Sequence, residues 1–233
     1  MKYMIGLNKS LIVIFFVVIC LLFFKQNNAF AQQTIFNVPS GDLTEKNMIF
    51  FQHQSSFSGR FGEFDNNFVY GLGKNTEFDL TLFNVGTKNI RNEVLAFGFK
   101  SVIPLSEKTQ TKFTFGHLIP VSLRGNGVGG YSYSHISTVL PKIHTRITSG
   151  IAVGTTTLFG RDFICFIAGI EHPITKKLSF VMDWYSGKHS NGFLIPGFYY
   201  SFTPKFILSG GYRIRNNIEN GHNGFILELS KFF

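Results

Sequence analysis

Cysteine, acidic residues and long apolar runs are scarce in this 233-residue chain, and each scarcity removes a class of protein. There are two cysteines: Cys20 lies within an apolar amino-terminal run and Cys165 stands alone beyond it. Once that leader is removed no intramolecular disulfide can form, so the fold must hold by strand pairing and closure. Cys165 lies on an apolar stretch without basic neighbours, where a buried thiol stays protonated, and reads as filler rather than nucleophile. Beyond residue 31 no apolar stretch approaches the roughly 20 residues of a spanning helix. Charged residues make up 15% of the chain, with 13 Asp and Glu against 22 Lys and Arg. No basic cluster is interleaved with aromatics, which argues against nucleic-acid binding. His53, His117, His135, His144, His172 and His222 never fall at metal-ligand spacing with one another or with Cys or Asp, so no metal site and no cofactor is expected. The Gly-rich stretch Arg124–Gly130 lacks the Lys-Ser/Thr and following helix of a phosphate loop and reads as an outer loop.

What is present begins with a leader. Lys2 and Lys9 precede an apolar run from Leu11 to Phe24, and Ala29-Phe-Ala31 has the small-x-small form of a cleavage site, so Met1–Ala31 reads as a signal peptide and Gln32 as the mature amino-terminus. The rival, a membrane anchor, needs a longer run. A lipidated Cys20 fails because that residue lies inside the apolar core. Residues 32–233 form one domain, with 29 Phe and 24 Gly in the whole chain.

That domain alternates. In Leu178–Tyr185, the residues Leu178, Phe180, Met182 and Trp184 oppose Ser179, Val181, Asp183 and Tyr185; in Phe206–Ile214, the residues Phe206, Leu208, Gly210, Tyr212 and Ile214 oppose Ile207, Ser209, Gly211 and Arg213. A period of two puts one set on lipid and the other on a lumen. Twelve such runs occur: Asn47–Ser56, Asn67–Gly73, Thr76–Val85, Glu93–Ile103, Lys112–Leu123, Tyr131–Leu140, Thr145–Thr155, Asp162–Glu171, Leu178–Gly187, Gly192–Phe202, Phe206–Arg215 and Gly224–Phe233. Short connections carrying Pro, Lys or Asn alternate with looser ones, among them Phe57–Asn66. The fold class expected is therefore all-β, an antiparallel up-and-down transmembrane barrel of about twelve strands (ten or eight if some runs are loops), since only helices and closed barrels satisfy the backbone in lipid. Phe163–Ile170 is apolar on both faces and its register cannot be read. Pro196, in mid-run, must sit at a bulge or break a ladder bond.

Carboxylates on a lipid face would be costly, so the polar face is the lumen. Glu77, Asp79, Glu93, Lys100, Asp183, Arg213 and Glu228 are the lumen-charge candidates, able either to tune solute selectivity or to pair with one another and plug the barrel. Trp184, Tyr199, Tyr200, Tyr212 and Phe233, with Tyr131 and Tyr133 among others, are expected in interfacial girdles.

Two stretches carry a resemblance: Phe36-Asn-Val-Pro-Ser-Gly-Asp-Leu-Thr-Glu-Lys-Asn-Met-Ile-Phe-Phe-Gln-His-Gln54, and Asp183–Gly192 with Gly211-Tyr-Arg-Ile-Arg-Asn216 after it. They resemble a broad group of poorly characterised, transporter-like outer-membrane barrels related to those of aromatic-degradation pathways. The resemblance implies a Gram-negative-type outer membrane and passage of small solutes, and it brings no binding residues. His189-Ser-Asn191 is also similar to the His-x-Ser-Asn segment of outer-membrane lipid A deacylases. There the spacing departs: His189 and Ser190 are adjacent, Lys188 stands where the matching His would fall, and no carboxylate follows before Phe206, so no catalytic residue is assigned.

The function expected is a porin-like small-solute pore or transporter in the outer membrane; the alternative is a lumen-plugged barrel with a surface role, as lipid-modifying hydrolase or adhesin. Its partners would be outer-membrane lipid, the barrel-assembly machinery and small solutes. Oligomeric state is not legible.

Overall fold

The computed structural model describes residues 33–59, 61–86, 91–125, 127–155, 163–219 and 222–233. The leader, Met1–Ala31, lies outside the described residues. Twelve strands are present: β1 (Ile49–Ser58), β2 (Phe61–Gly73), β3 (Thr76–Gly86), β4 (Arg91–Ser106), β5 (Thr111–Ser122), β6 (Tyr131–Leu140), β7 (Thr145–Gly154), β8 (Phe163–Pro173), β9 (Leu178–Tyr185), β10 (Phe193–Thr203), β11 (Phe206–Arg215) and β12 (Gly224–Phe232). Each pairs antiparallel with its sequence neighbours, and β1 pairs with β12 from Phe50↔Phe232 to Phe57↔Phe225, closing the barrel. Closure leaves no unpaired edge for another chain to extend.

One rim carries the connections 74–75, 107–110, 141–144, 174–177 and 204–205, together with the chain end at Phe233. Lys74 and Asn75 both have positive φ (51° and 60°), the left-handed pair that a two-residue type I′ hairpin requires. The other rim carries the longer connections, with one exception: Phe57–Asn66 is not a loose loop. β1 and β2 run on to Ser58↔Phe61. The stretch reads as loop because Glu63 and Asp65 depress strand propensity, yet these residues alternate with Phe64 and Asn66 and point to the lumen, where polar side chains are at home.

Outside, every strand shows apolar side chains, among them Phe68, Phe78, Phe97, Ile119, Ile136, Ile151, Phe166, Phe198 and Leu227. That continuous band is the lipid-facing surface of a membrane barrel. Pro196 keeps the register on both sides, but the β10–β11 pairing skips from Leu194↔Ile214 to Gly197↔Gly211, so the proline breaks the ladder there without a bulge. β8 also resolves: Ile164 and Phe166 face lipid, whereas Cys165, Ile167 and Gly169 face inward. Its inner face is apolar because of what occupies the lumen.

Candidate functional site in the lumen

The chain preceding β1 does not trail away from the barrel; residues 33–44 fold back into it as a finger. Gln33 and Thr44 meet at its base, where Gln33 Nε2 donates to Thr44 Oγ1 (2.9 Å). A bridge between Thr34 and Pro39 and the bonds Ile35 N to Val38 O (2.9 Å) and Ser40 N to Gln33 O (3.0 Å) shape its tip as a tight hairpin. The base sits beside Glu77, one residue into β3 and so next to the short-turn rim, while the tip lies against Asp183 and Tyr185 at the far end of β9. The finger therefore enters from the short-turn rim and reaches through much of the barrel.

Four clamps hold it. At the tip, one oxygen of Asp183, Oδ2, accepts the backbone N–H groups of Phe36 (3.0 Å), Asn37 (2.7 Å) and Val38 (2.7 Å). Three successive N–H groups converging on one anion form a nest closed by a wall side chain. Tyr185 donates its hydroxyl to Asn37 O (3.0 Å) and is within 2.5 Å of the Tyr131 hydroxyl. At the base, Glu77 accepts Thr44 N (2.7 Å) through Oε2 and pairs with Lys100 Nζ (2.9 Å) through Oε1; Lys100 also donates to Gln33 Oε1 (2.5 Å). On the side wall, the carboxylate of Asp42 receives Lys112 Nζ (2.7 Å) on one oxygen and Arg146 on the other, and Arg146 reaches on to Glu171 (3.4 Å).

The fourth clamp is apolar. Ile35, Phe36 and Val38 are buried in one cluster with Cys165, Ile167, Val181, Ile195, Ile207 and Ile226. Burying a side chain of this size contributes about 1.5–3 kcal/mol. Room is made by glycine. Gly169 faces Ile35, whose Cδ1 would be 2.0 Å from a Cβ, and the cross-strand pair Gly197 and Gly211 faces the Phe36 ring, whose Cζ would be 2.6 and 2.8 Å from theirs.

Of the lumen charges expected from sequence, Glu77, Lys100 and Asp183 thus meet on the finger. Asp79 accepts from Thr81 (2.6 Å) beside it. Glu228 is fully buried against the side chains of Gln52 and Ser209. Arg213 lies 4.0 Å from Glu63 and over the Phe193 ring (4.7 Å). Glu93 is not within the lumen group: it makes a two-bonded pair with Arg124 near the long-loop rim (2.7 and 2.8 Å). Trp184, Tyr200, Tyr212 and Phe233 face outward near the rims, as a girdle requires; Trp184 donates to Asn216 (3.2 Å). Tyr199, Tyr131 and Tyr133 correct that expectation. All three are buried inside, because their alternation phase, not their place near a strand end, decides the side they take. His189 and Ser190 lie in the connection 186–192 on the long-loop rim, with the His189 ring over Gly187.

Sequence reasoning missed Asp42, Arg146, Glu171 and Gln33. Two signals were present: apolar Ile35, Phe36 and Val38 ahead of the first strand, and the two-sided β8, whose inner apolar face needs an apolar partner inside the lumen.

Asp42 belongs to the finger rather than to a strand, and its charge sets a pH limit. Burial raises its proton affinity, but Arg146 and then Lys112 outweigh burial and lower the carboxyl from 3.8 to about 2. A depressed carboxyl stabilises the docked finger fully above its ordinary value and loses that contribution as pH falls through the depressed one. The finger is therefore expected to resist pepsin at Phe36 at pH 4 and to be cut at pH 2, with rates normalised to a free peptide; equal normalised rates at both pH values would contradict the Asp42 clamp.

No protein-family model and no curated protein matches the chain. Among solved structures it is similar to a KdgM porin in complex with disordered oligogalacturonate, with a TM-score of 0.52 and 5% identity over 80% of this chain and 99% of that one. The likeness is one of fold.

Proposed function

We propose that the chain is an outer-membrane barrel, exported with loss of Met1–Ala31, that passes small solutes and is gated by the finger. One observation carries this reading: the wall closes without the finger, through β1 and β12, whereas the finger is held by discrete clamps on its inner surface. It can leave the lumen without opening a strand edge. The apolar outer band takes membrane lipid, and insertion calls for the barrel-assembly machinery. Oligogalacturonate is the ligand of the similar porin; its presence there supports passage of small solutes here.

A finger docked by a few kcal/mol leaves the closed state dominant by more than about tenfold. Liposomes carrying the refolded chain are expected to swell slowly in arabinose, and those carrying a variant lacking residues 33–44 at least about tenfold faster. Equal swelling, with both proteins showing the same β-sheet circular dichroism, would overturn the gate.

A further inference from the structure

The inner wall of β5, β6 and β7 holds a group of polar side chains that the finger covers without satisfying. Thr114, His135 and Thr148 are each at least 98% buried, and among the described residues the Thr114 hydroxyl, both His135 ring nitrogens and the Thr148 hydroxyl have no hydrogen-bond partner. The pairings place them together. Thr114 stands opposite His135, Lys112 opposite Ser137, and Ser137 opposite Thr148, all pointing inward. Arg146 is two residues from Thr148 on the same face of β7.

Buried polar groups are almost always hydrogen-bonded, and leaving one unmet destabilises the fold. Three in one patch are costly wall chemistry unless something with matching donors and acceptors uses them. Over the patch lies the finger's Gly41, close enough that a Cβ there would be 2.3 Å from Ser137 Oγ. Next to it the Asp42 carboxylate occupies Lys112 and Arg146. The finger thus offers the wall a carboxylate, while among the described residues none hydrogen-bonds to the Thr114 and Thr148 hydroxyls or the His135 imidazole.

We propose that this patch is a binding site for small carboxylates bearing hydroxyl groups, and that Asp42 is the resident stand-in for their carboxylate. The proposal rests on the gating reading, since the site opens when the finger withdraws. Lys112 and Arg146 take the carboxylate, Arg146 as a planar fork suited to it. Thr114, His135, Ser137 and Thr148 then exchange hydrogen bonds with the hydroxyls. His135 serves as donor through one ring nitrogen and acceptor through the other, which matches a hydroxyl's own dual character. One neighbouring charge shapes the selection: Glu171 beside Arg146 disfavours a second carboxylate on that side.

Binding is measured by equilibrium dialysis of the whole folded chain in detergent, so that affinity is read apart from passage. The probes are gluconate, sorbitol (the same hydroxyls without carboxylate) and hexanoate (the carboxylate without hydroxyls). With Asp42→Asn, gluconate is expected to bind at least about tenfold more tightly than to the unaltered chain and than either other probe. Adding Lys112→Gln and Arg146→Gln should erase the preference over sorbitol, and adding Thr148→Val should cut the preference over hexanoate. Should Asp42→Asn fail to fold, the variant lacking residues 33–44 removes the same carboxylate. Gluconate binding no better than sorbitol, or a preference that survives loss of Lys112 and Arg146, overturns the site. Faster swelling of the finger-deleted barrel without gluconate preference sinks this site and leaves the gate standing, while gluconate binding to a barrel that passes no solute sinks the gate and leaves the site.

Discussion

Asp183→Ala is expected to free the finger tip while the barrel stays closed. In the native chain Phe36 is 1% exposed and its backbone N–H shares Asp183 Oδ2 with those of Asn37 and Val38. Hydrogen bonds to a charged acceptor are about twice as strong as neutral ones, and each donor left unmet in a buried site costs about 1–3 kcal/mol. Three donors lose their acceptor together, which exceeds what the tip can recover by small shifts. The undocked finger instead hydrates all three. Chymotrypsin should therefore cut at Phe36 at least about a hundredfold faster in the variant. Asp183→Asn keeps an acceptor oxygen but loses the charge, so its effect should be smaller. The wall itself has little to lose, because β9 pairs with β8 and β10 through its backbone. Unchanged protection of Phe36 in Asp183→Ala would mean that the nest does not hold the tip.

Much of the wall could be read from period alone. Strands such as β9 and β11 show their two faces because lipid demands apolar side chains and a polar lumen does not, and every second residue obeys one solvent or the other. Where the lumen is not polar, that logic fails. β8 hid its register because Ile167 and Gly169 face Ile35, so both faces are apolar for different reasons. Tyr199 reads as a girdle residue from its place near a strand end, although its phase along β10 places it inside. Glu77, Lys100 and Asp183 were legible as lumen residues. What they touch was not: their partners are backbone N–H groups and a glutamine of a segment without regular structure, brought in from 33 to 147 residues away in sequence. No period marks such a segment. Arg146 was overlooked for a related reason, since one polar residue at the start of β7 reads as a rim residue until Asp42 is placed opposite it.

A covalent lock on the finger separates gate from ornament. A Cβ on Gly41 would lie 3.5 Å from Ser137 Cβ, within the Cβ–Cβ range of about 3.5–4.5 Å for a disulfide. Gly41→Cys with Ser137→Cys, in a chain whose Cys165 is replaced by Ser to prevent mispairing, should therefore close a bridge between finger and wall at a point midway between the tip and base clamps. The bridge leaves every strand pairing in place and removes only the finger's freedom to withdraw. Single-channel recording of this chain in planar bilayers, before and after addition of a reductant, is the most direct test. The bridged barrel is expected to stay silent, and reduction to release discrete openings. Current of equal size and frequency before and after reduction would show that ions pass beside a fixed finger, and the account of the finger as the gate would be wrong.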